Sequence, residues 1–147
     1  MNETRFHWAG LDVAKKSFDA AVVFYGQHYP ETKLHEVPCK TFERSPDGVK
    51  QLLAWLDEQL PPVDDSHPFS VRAVMESTGK YSQDLALWLL QQTKEPVAAI
   101  VNPGLTANFI KSMGLRNKTD RLEARALAFY GVERRPAPYK PLTLAHS

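Results

Sequence analysis

This sequence is poor in cysteine and in long apolar runs. Cys39 is its only cysteine, so neither a disulfide framework nor a cysteine zinc site can form within one chain. The five histidines show no metal-ligand spacing such as HxxxH, and we interpret them as surface or strand residues. The N terminus has no apolar signal-peptide core, and the longest strongly apolar run, Leu85 to Leu90, is far too short to cross a bilayer. These features predict a cytoplasmic protein that does not contact membranes.

Charge is balanced over the whole chain but unevenly distributed along it. The 147 residues, of which 43% are hydrophobic and 24% charged, suit one soluble globular domain. The net charge is +1, yet residues 111–140 contain eight basic and three acidic residues, which is a net charge of +5. A basic segment next to a carboxylate cluster suits a polyanionic substrate held by metal ions. The alternative is a solvated, charged helix face.

Hydrophobic periodicity and turn residues predict secondary structure in the order β-β-β-α-β-α-β-α-α. Strands are predicted at residues 7–13, 17–25, 34–42, 71–75 and 97–101, and helices at 46–60, 82–93, 104–113 and 120–130. Ser45 and Ser82 are the predicted N-caps of the first two helices, and Gly131 is the predicted end of the last. Three consecutive strands followed by alternating helices and strands give an α/β fold, a mixed sheet flanked by helices.

Four carboxylates are placed where they can converge. Asp12 ends the first predicted strand and Glu76 ends the fourth, and sites in open sheets form beyond the carboxyl ends of strands. Asp120 and Glu123 are three residues apart on one predicted helix, so they share a face. Converging carboxylates repel one another unless cations neutralise them, and their hard oxygen atoms suit Mg²⁺. Two such ions about 4 Å apart can polarise a phosphodiester and stabilise the attacking and leaving oxygens.

Each acid also has an ordinary structural interpretation. Asp12 can be a turn residue, and Asp19 is expected to be a strand-end surface acid. Asp120 can favour a helix N-terminus through the helix dipole, and Glu123 can be a surface acid near an arginine. Glu76 is more informative, because a carboxylate at a buried strand end needs a partner.

Basic residues accompany the acidic segments. Lys15 and Lys16 follow the first acid, and Lys80 follows the second. The residues that flank the last acidic pair are Arg116, Asn117, Lys118, Arg121 and Arg125. Guanidinium and ammonium groups at these positions can hold phosphates next to a metal site. They can equally be solvated side chains, so nucleic-acid binding is the prediction and solvation the alternative.

Three short motifs occur in order along the chain. Residues 10–16 read GLDVAKK and are followed by Phe-Asp at 18–19. Residues 76–81 read ESTGKY. Residues 101–103 read VNP, and residues 114–125 read GLRNKTDRLEAR. Together these motifs resemble those of the DEDD transposases of the IS110 insertion-sequence family, and the Piv-type DNA invertases share them.

The resemblance implies properties that composition and spacing do not reveal. It implies an RNase H-like (RuvC-like) fold in which Asp12, Glu76, Asp120 and the residue at position 123 are the catalytic, metal-binding acids. It implies Mg²⁺, with Mn²⁺ as a possible substitute. It also implies DNA strand exchange directed by a structured noncoding RNA, the bridge RNA, in a homodimer or tetramer.

Two departures from the family pattern stand out. The fourth acid of the family is usually aspartate, and Glu123 retains its charge and oxygen ligands but adds one methylene. The family proteins are longer, and a downstream domain supplies a serine that resembles a nucleophile. We therefore expect residues 1–135 to form the DEDD domain and residues 136–147 to be a proline-bearing tail or the start of a linker. On this view the chain is a fragment, a truncated element or an excised domain that cannot complete recombination alone.

Other function classes remain open from the sequence. A stand-alone Mg²⁺-dependent nuclease or junction resolvase would need the same four acids but no serine domain. A noncatalytic module for RNA binding and assembly would need none of them. A fragment of an actin-like or sugar-kinase fold would also open with a strand, an aspartate, a turn and a lysine, as Asp12 and Lys15 do. The absence of a glycine-rich adenosine motif argues against that last class.

Overall fold

The fold is a five-stranded mixed sheet with helices on both faces. The computed structural model describes residues 5–24, 36–59, 69–112 and 122–140. The strands are β1 (Arg5–Val13), β2 (Ser17–Val23), β3 (Cys39–Glu43), β4 (Phe69–Glu76) and β5 (Ala98–Val101). The helices are α1 (Pro46–Gln59), α2 (Lys80–Thr93), α3 (Pro103–Ser112) and α4 (Leu122–Arg134). The predicted order of elements is confirmed.

The strand order in the sheet is β3-β2-β1-β4-β5. The first three strands in the sequence pair antiparallel, whereas β1 pairs with β4, and β4 with β5, in parallel. The carboxyl ends of β1, β4 and β5 therefore lie side by side at one end of the strands, and we call this end of the sheet the carboxyl edge. Because β1 and β4 are neighbours, an acid at the end of each is brought to the same place.

The two faces of the sheet carry different layers, because side chains alternate along each strand. Leu11, Phe18 and Met75 are almost fully buried on the face that packs against Leu52 of α1 and Leu85 of α2. The opposite face packs against α4, and α3 packs on α4 in turn. Residues at even positions of β1, among them Trp8 and Gly10, point to the α4 face. Whether a residue has an even or an odd position on its strand therefore decides on which face of the sheet its side chain lies, and this applies to the acids as well.

The first helix begins as predicted, whereas the second does not. The backbone N–H of Gly48 donates to Oγ of Ser45 at 3.0 Å, which confirms Ser45 as a capping residue. Helix α2 begins at Lys80, so the prediction that Ser82 is its N-cap is wrong. The Ser82 side chain is buried inside the first turn, where its hydroxyl donates to the carbonyl oxygen of Gly79 and accepts from the N–H of Thr78. A serine two residues into a helix can therefore support the turn before the helix without being its cap.

The last helix does not end at Gly131, contrary to the prediction, but continues to Arg134. Gly131 is buried against the indole of Trp8 on β1, and a Cβ at this position would lie 2.5 Å from Cε3 of that ring. The glycine is present because a side chain would not fit, and not because the helix needs a left-handed terminus there.

A second glycine brings α4 onto the sheet from the strand side. A Cβ at Gly10 of β1 would collide with the backbone oxygen of Ala124 and the backbone nitrogen of Ala128. The backbone of α4 therefore lies directly on β1, with no side chain between them at Gly10. This close approach fixes the distance of the first turn of α4 from the end of β1.

The edge strand and the tail depart from the prediction in detail. Strand β3 is confined to Cys39–Glu43, and Pro38 lies directly before it at the edge of the sheet, where its carbonyl accepts from the N–H of Val22 at 3.1 Å. In the segment after α4, the N–H of Tyr139 donates to the carbonyl oxygen of Ala98 at 2.7 Å, and the Tyr139 side chain packs against the core. The division at residues 135 and 136 stays a prediction. None of the helices in the described ranges is long and apolar enough to span a membrane.

Candidate metal and nucleic-acid site

The carboxyl edge gathers the first two predicted acids. Asp12 is the penultimate residue of β1, and Glu76 is the last residue of β4. The parallel register pairs Leu11 with Met75, which places Asp12 level with Glu76 on the neighbouring strand. Both acids occupy even positions, so they point to the α4 face of the sheet rather than into the core under α1 and α2.

Asp19, which the sequence predicts to be a strand-end surface acid, is a third acid at the same place and lies half-buried near the start of β2. The antiparallel register pairs Asp12 directly with Asp19, so both side chains lie on one face of the sheet. The hydroxyl of Thr41 on β3 donates to a carboxylate oxygen of Asp19. A turn centred on Lys15 and Lys16 already implies this pairing, and that signal in the sequence could have revealed the third acid.

Glu123 reaches the cluster from the helix. It lies in the first turn of α4, close enough to Asp12 that its negative charge raises the pKa of the Asp12 carboxyl. The close packing of α4 on Gly10 is what allows this approach. Asp120, the remaining predicted acid, lies outside the described residues.

The pKa of the Asp12 carboxyl reflects its burial and the negative charges that surround it. The pKa of the Asp12 carboxyl is raised from 3.8 to about 6, and burial is the largest cause. The negative charges of Glu123, Asp19 and Glu76 contribute to the same rise. A site that disfavours its own ionisation in this way favours any cation that can neutralise it.

The donor set of this cluster fits a divalent metal in its chemistry. All the side chains that crowd Asp12 offer carboxylate oxygens, the hard ligands that Mg²⁺ and Mn²⁺ prefer. Within the described part of the chain, no three acidic, histidine or cysteine side chains are arranged to hold one ion together.

Within the described ranges, histidine does not contribute to this cluster. His7 is buried on β1, where its ring meets that of Phe24 edge to face at 5.5 Å, and burial lowers its pKa. This agrees with its prediction as a strand residue. The other four histidines lie outside the described residues.

Three of the predicted phosphate-binding lysines are exposed near the acids. Lys15 and Lys16 lie in the turn between β1 and β2, and Lys80 is the first residue of α2. Arg125 has a structural contact, because its Nε donates to the carbonyl oxygen of Val37 at 3.1 Å and so holds the segment before β3 against α4. The other predicted residues lie outside the described ranges: Arg116, Asn117, Lys118 and Arg121.

The connection from Glu76 to α2 depends on one glycine. Gly79 has φ 64° and ψ −130°, a conformation that is essentially restricted to glycine. No atom lies within 4 Å of where its Cβ would be, so space does not require the glycine. Gly79 lets the chain turn from the end of β4 into α2 within three residues, which places Lys80 next to the carboxyl edge.

We expect Gly79→Ala to destabilise the chain by about 1–3 kcal/mol, because alanine is strained at this backbone conformation. Chemical denaturation followed by circular dichroism measures the loss. Gly104→Ala on α3 is the matched control, since its φ is unexceptional and its Cβ would meet only the side-chain oxygen of Asn102 at 3.2 Å. Equal effects of the two substitutions would contradict the assignment of strain to Gly79.

The sequence of the chain is similar to those of known transposases and gene-inverting proteins. The sequence profile of the DEDD transposase family, described as "Transposase", matches residues 9–146. Two pilin gene-inverting proteins, from Moraxella bovis and Moraxella lacunata, are each 29% identical to the chain over 134 residues. Each match covers 91% of the chain and 37% of the relative, so the chain spans just over a third of the length of these curated relatives.

A solved structure shares the fold. The structure of Thermus thermophilus RuvC superposes with a TM-score of 0.53 at 15% sequence identity, over 90% of this chain and 99% of that one. The RNase H-like, RuvC-like fold expected from the sequence motifs is thereby confirmed. Since the family profile matches almost the whole chain and the fold is the one the family motifs imply, the chain belongs to the IS110 family of DEDD transposases.

Proposed function

We propose that this chain is the metal-binding catalytic domain of a transposase or recombinase that acts in DNA strand exchange. The observation that carries the proposal is the crowding of negative charge from Glu123, Asp19 and Glu76 around the half-buried Asp12 at the carboxyl edge, on a chain of the transposase family. The pilin gene-inverting relatives are named for a rearrangement of a gene, which supports DNA as the substrate.

Each acid has a proposed role. Asp12, Glu76, Asp120 and Glu123 would hold Mg²⁺ or Mn²⁺, and Asp19 would add negative charge next to Asp12. The bound metal would supply Lewis acidity toward a phosphodiester. The burial of Asp12 keeps part of the site from water, which strengthens every charge interaction within it. The longer side chain of Glu123 can reach Asp12 because α4 lies so close to β1.

The proposed partners are DNA and a structured noncoding RNA. The exposed lysines at positions 15, 16 and 80 supply positive charge beside the acids, where a phosphate backbone would approach the metal. The guide RNA and the assembly into homodimers or tetramers are parts of this proposal that rest on the family resemblance.

The test is a titration of Mg²⁺ and of Mn²⁺ into the purified chain by calorimetry, with cleavage of end-labelled DNA followed in parallel. We expect the wild-type chain to bind metal, and Asp12→Ala and Glu76→Ala to lose at least tenfold in affinity, because each removes a charged ligand. Glu58→Ala is the matched control, since Glu58 is an exposed acid on α1, away from the carboxyl edge. We expect this variant to bind as the wild type does.

The same experiment separates the alternatives. Metal-dependent cleavage by the chain alone, lost in both site variants, would favour a stand-alone nuclease or junction resolvase over a strand-exchange domain. Unchanged binding of a structured RNA by both variants, without any metal binding by the wild type, would favour a noncatalytic module. A folded wild-type chain that binds neither metal nor nucleic acid would contradict the proposed function.

A further inference from the structure

Arg44 occupies an unusual place between β3 and α1. Its side chain is only 14% exposed although it is charged. Its Nη1 atom is buried and has no hydrogen-bond partner within the described residues. A buried guanidinium with an unsatisfied nitrogen costs stability unless its other contacts offset that cost. The contacts that Arg44 does make are therefore informative.

On one side, Arg44 holds the turn between β1 and β2. Its backbone N–H donates to the carbonyl oxygen of Lys16 at 2.9 Å, and its Nε donates to the carbonyl oxygen of Lys15 at 2.7 Å. The turn itself is closed by the N–H of Ala14, which donates to the carbonyl oxygen of Ser17 at 2.9 Å. Both lysine carbonyls are thus directed at Arg44, while both lysine side chains are exposed.

On the other side, Arg44 is packed against α2. Its guanidinium carbon lies 4.7 Å from the ring centroid of Tyr81 and 5.6 Å from that of Trp88. The same Nη1 atom, which makes no hydrogen bond to a described residue, lies 3.5 Å from Oδ2 of Asp84 and forms an ion pair with it. Helix α2 follows directly from Glu76 through Gly79. Arg44 therefore connects the segment after Asp12 to the segment after Glu76.

We propose that Arg44 is a positioning residue for nucleic-acid binding, which fixes the Lys15–Lys16 turn so that both ammonium groups stand beside the acids. This inference rests on the proposed function. The charge of Arg44 is directed to the rings and to Asp84, away from solvent, so it acts through the lysines and not by touching a phosphate itself. A planar guanidinium is needed, because an ammonium has neither the Nε geometry nor the flat face for stacking.

The experiment compares two charge-conserving variants in binding to a random-sequence DNA duplex. Arg44→Lys is the test. Arg72→Lys is the matched control, because Arg72 also makes one carbonyl hydrogen bond, to Pro96 at 2.8 Å, and also stacks on a ring, that of Phe6 at 4.6 Å. We expect about tenfold weaker binding for Arg44→Lys and no loss for Arg72→Lys. The slope of log K against log salt should also fall for Arg44→Lys alone, because fewer counterions are released.

A double-mutant cycle supplies the second readout. In a chain that carries Lys15→Ala and Lys16→Ala, we expect Arg44→Lys to weaken DNA binding no further, since the groups it positions are gone. Additive losses, equal losses in the Arg44 and Arg72 variants, or no loss at Arg44 would each overturn the inference while leaving the proposed function intact. A wild-type chain that does not bind DNA would instead contradict the DNA-binding part of the proposed function.

Discussion

Gly10→Ala is expected to destabilise the chain by about 3 kcal/mol or more, and to separate Glu123 from Asp12 in whatever fraction still folds. The added methyl group would collide with the backbone of α4 at Ala124 and Ala128, and backbone atoms cannot move aside as side-chain ends do. The helix would have to shift away from β1. Its first turn carries Glu123, so the site would open together with the interface.

Thermal and urea unfolding followed by circular dichroism measure the loss in stability. Gly104→Ala again provides the matched control, and we expect its stability to stay within about 1 kcal/mol of the wild type because that position is exposed on α3. Metal affinity of the folded fraction gives the second readout. A Gly10→Ala chain of wild-type stability would mean that α4 is not held against β1 as described.

Asp12→Asn is expected to stabilise the metal-free chain at neutral pH while removing metal binding. The pKa of Asp12 is raised from 3.8 to about 6, so the folded chain retains a proton that the unfolded chain releases. Stability is therefore lost as the pH rises from about 4 to about 6, and because solvent screens this half-buried group the loss above that range is less than roughly 3 kcal/mol. Asparagine is neutral at every pH, so the variant avoids this loss.

The measurement is the free energy of unfolding in a chelating buffer at pH 4 and pH 7.5. We expect Asp12→Asn to exceed the wild type by about 1–3 kcal/mol at pH 7.5 and by little at pH 4. The lowered pKa of His7 makes the folded chain less stable as the pH falls. Because His7 is present in both chains, its effect cancels in the difference between them. Glu58→Gln is the control for loss of one exposed charge. No gain at pH 7.5 would contradict the crowding of charge at Asp12.

The parts of the fold that sequence could predict depend on local patterns. Asp12 and Glu76 were recognisable because each follows an apolar strand, and strand ends in a parallel pair share an edge. Ser45 was recognisable as a cap because it stands directly before a proline at the first helical position. In each case the informative residues lie within a few positions of one another.

The parts that sequence could not predict depend on contacts between distant segments. A glycine is typical of a helix terminus, but Gly131 instead allows close packing on Trp8. Only the tertiary fold distinguishes these two roles of a glycine. No local sequence pattern indicates the contacts of Arg44, because its partners lie 29 residues upstream, at Lys15, and 40 residues downstream, at Asp84. Asp19 falls between these cases, since the turn implied its pairing but nothing local indicated which face was occupied.

The spacing of Gly10 and Asp12 links the packing of the domain to its proposed chemistry. The two residues lie two positions apart on one strand and face the same helix, α4. Gly10 allows the helix to approach the strand, and Asp12 lies near the carboxyl group of Glu123 on that helix. A single-residue insertion between them would turn Asp12 into the opposite layer, and an insertion before both would move the glycine off the helix. Selection on the stability of the domain and selection on its chemistry therefore act on one short segment, which cannot change its length to satisfy either alone.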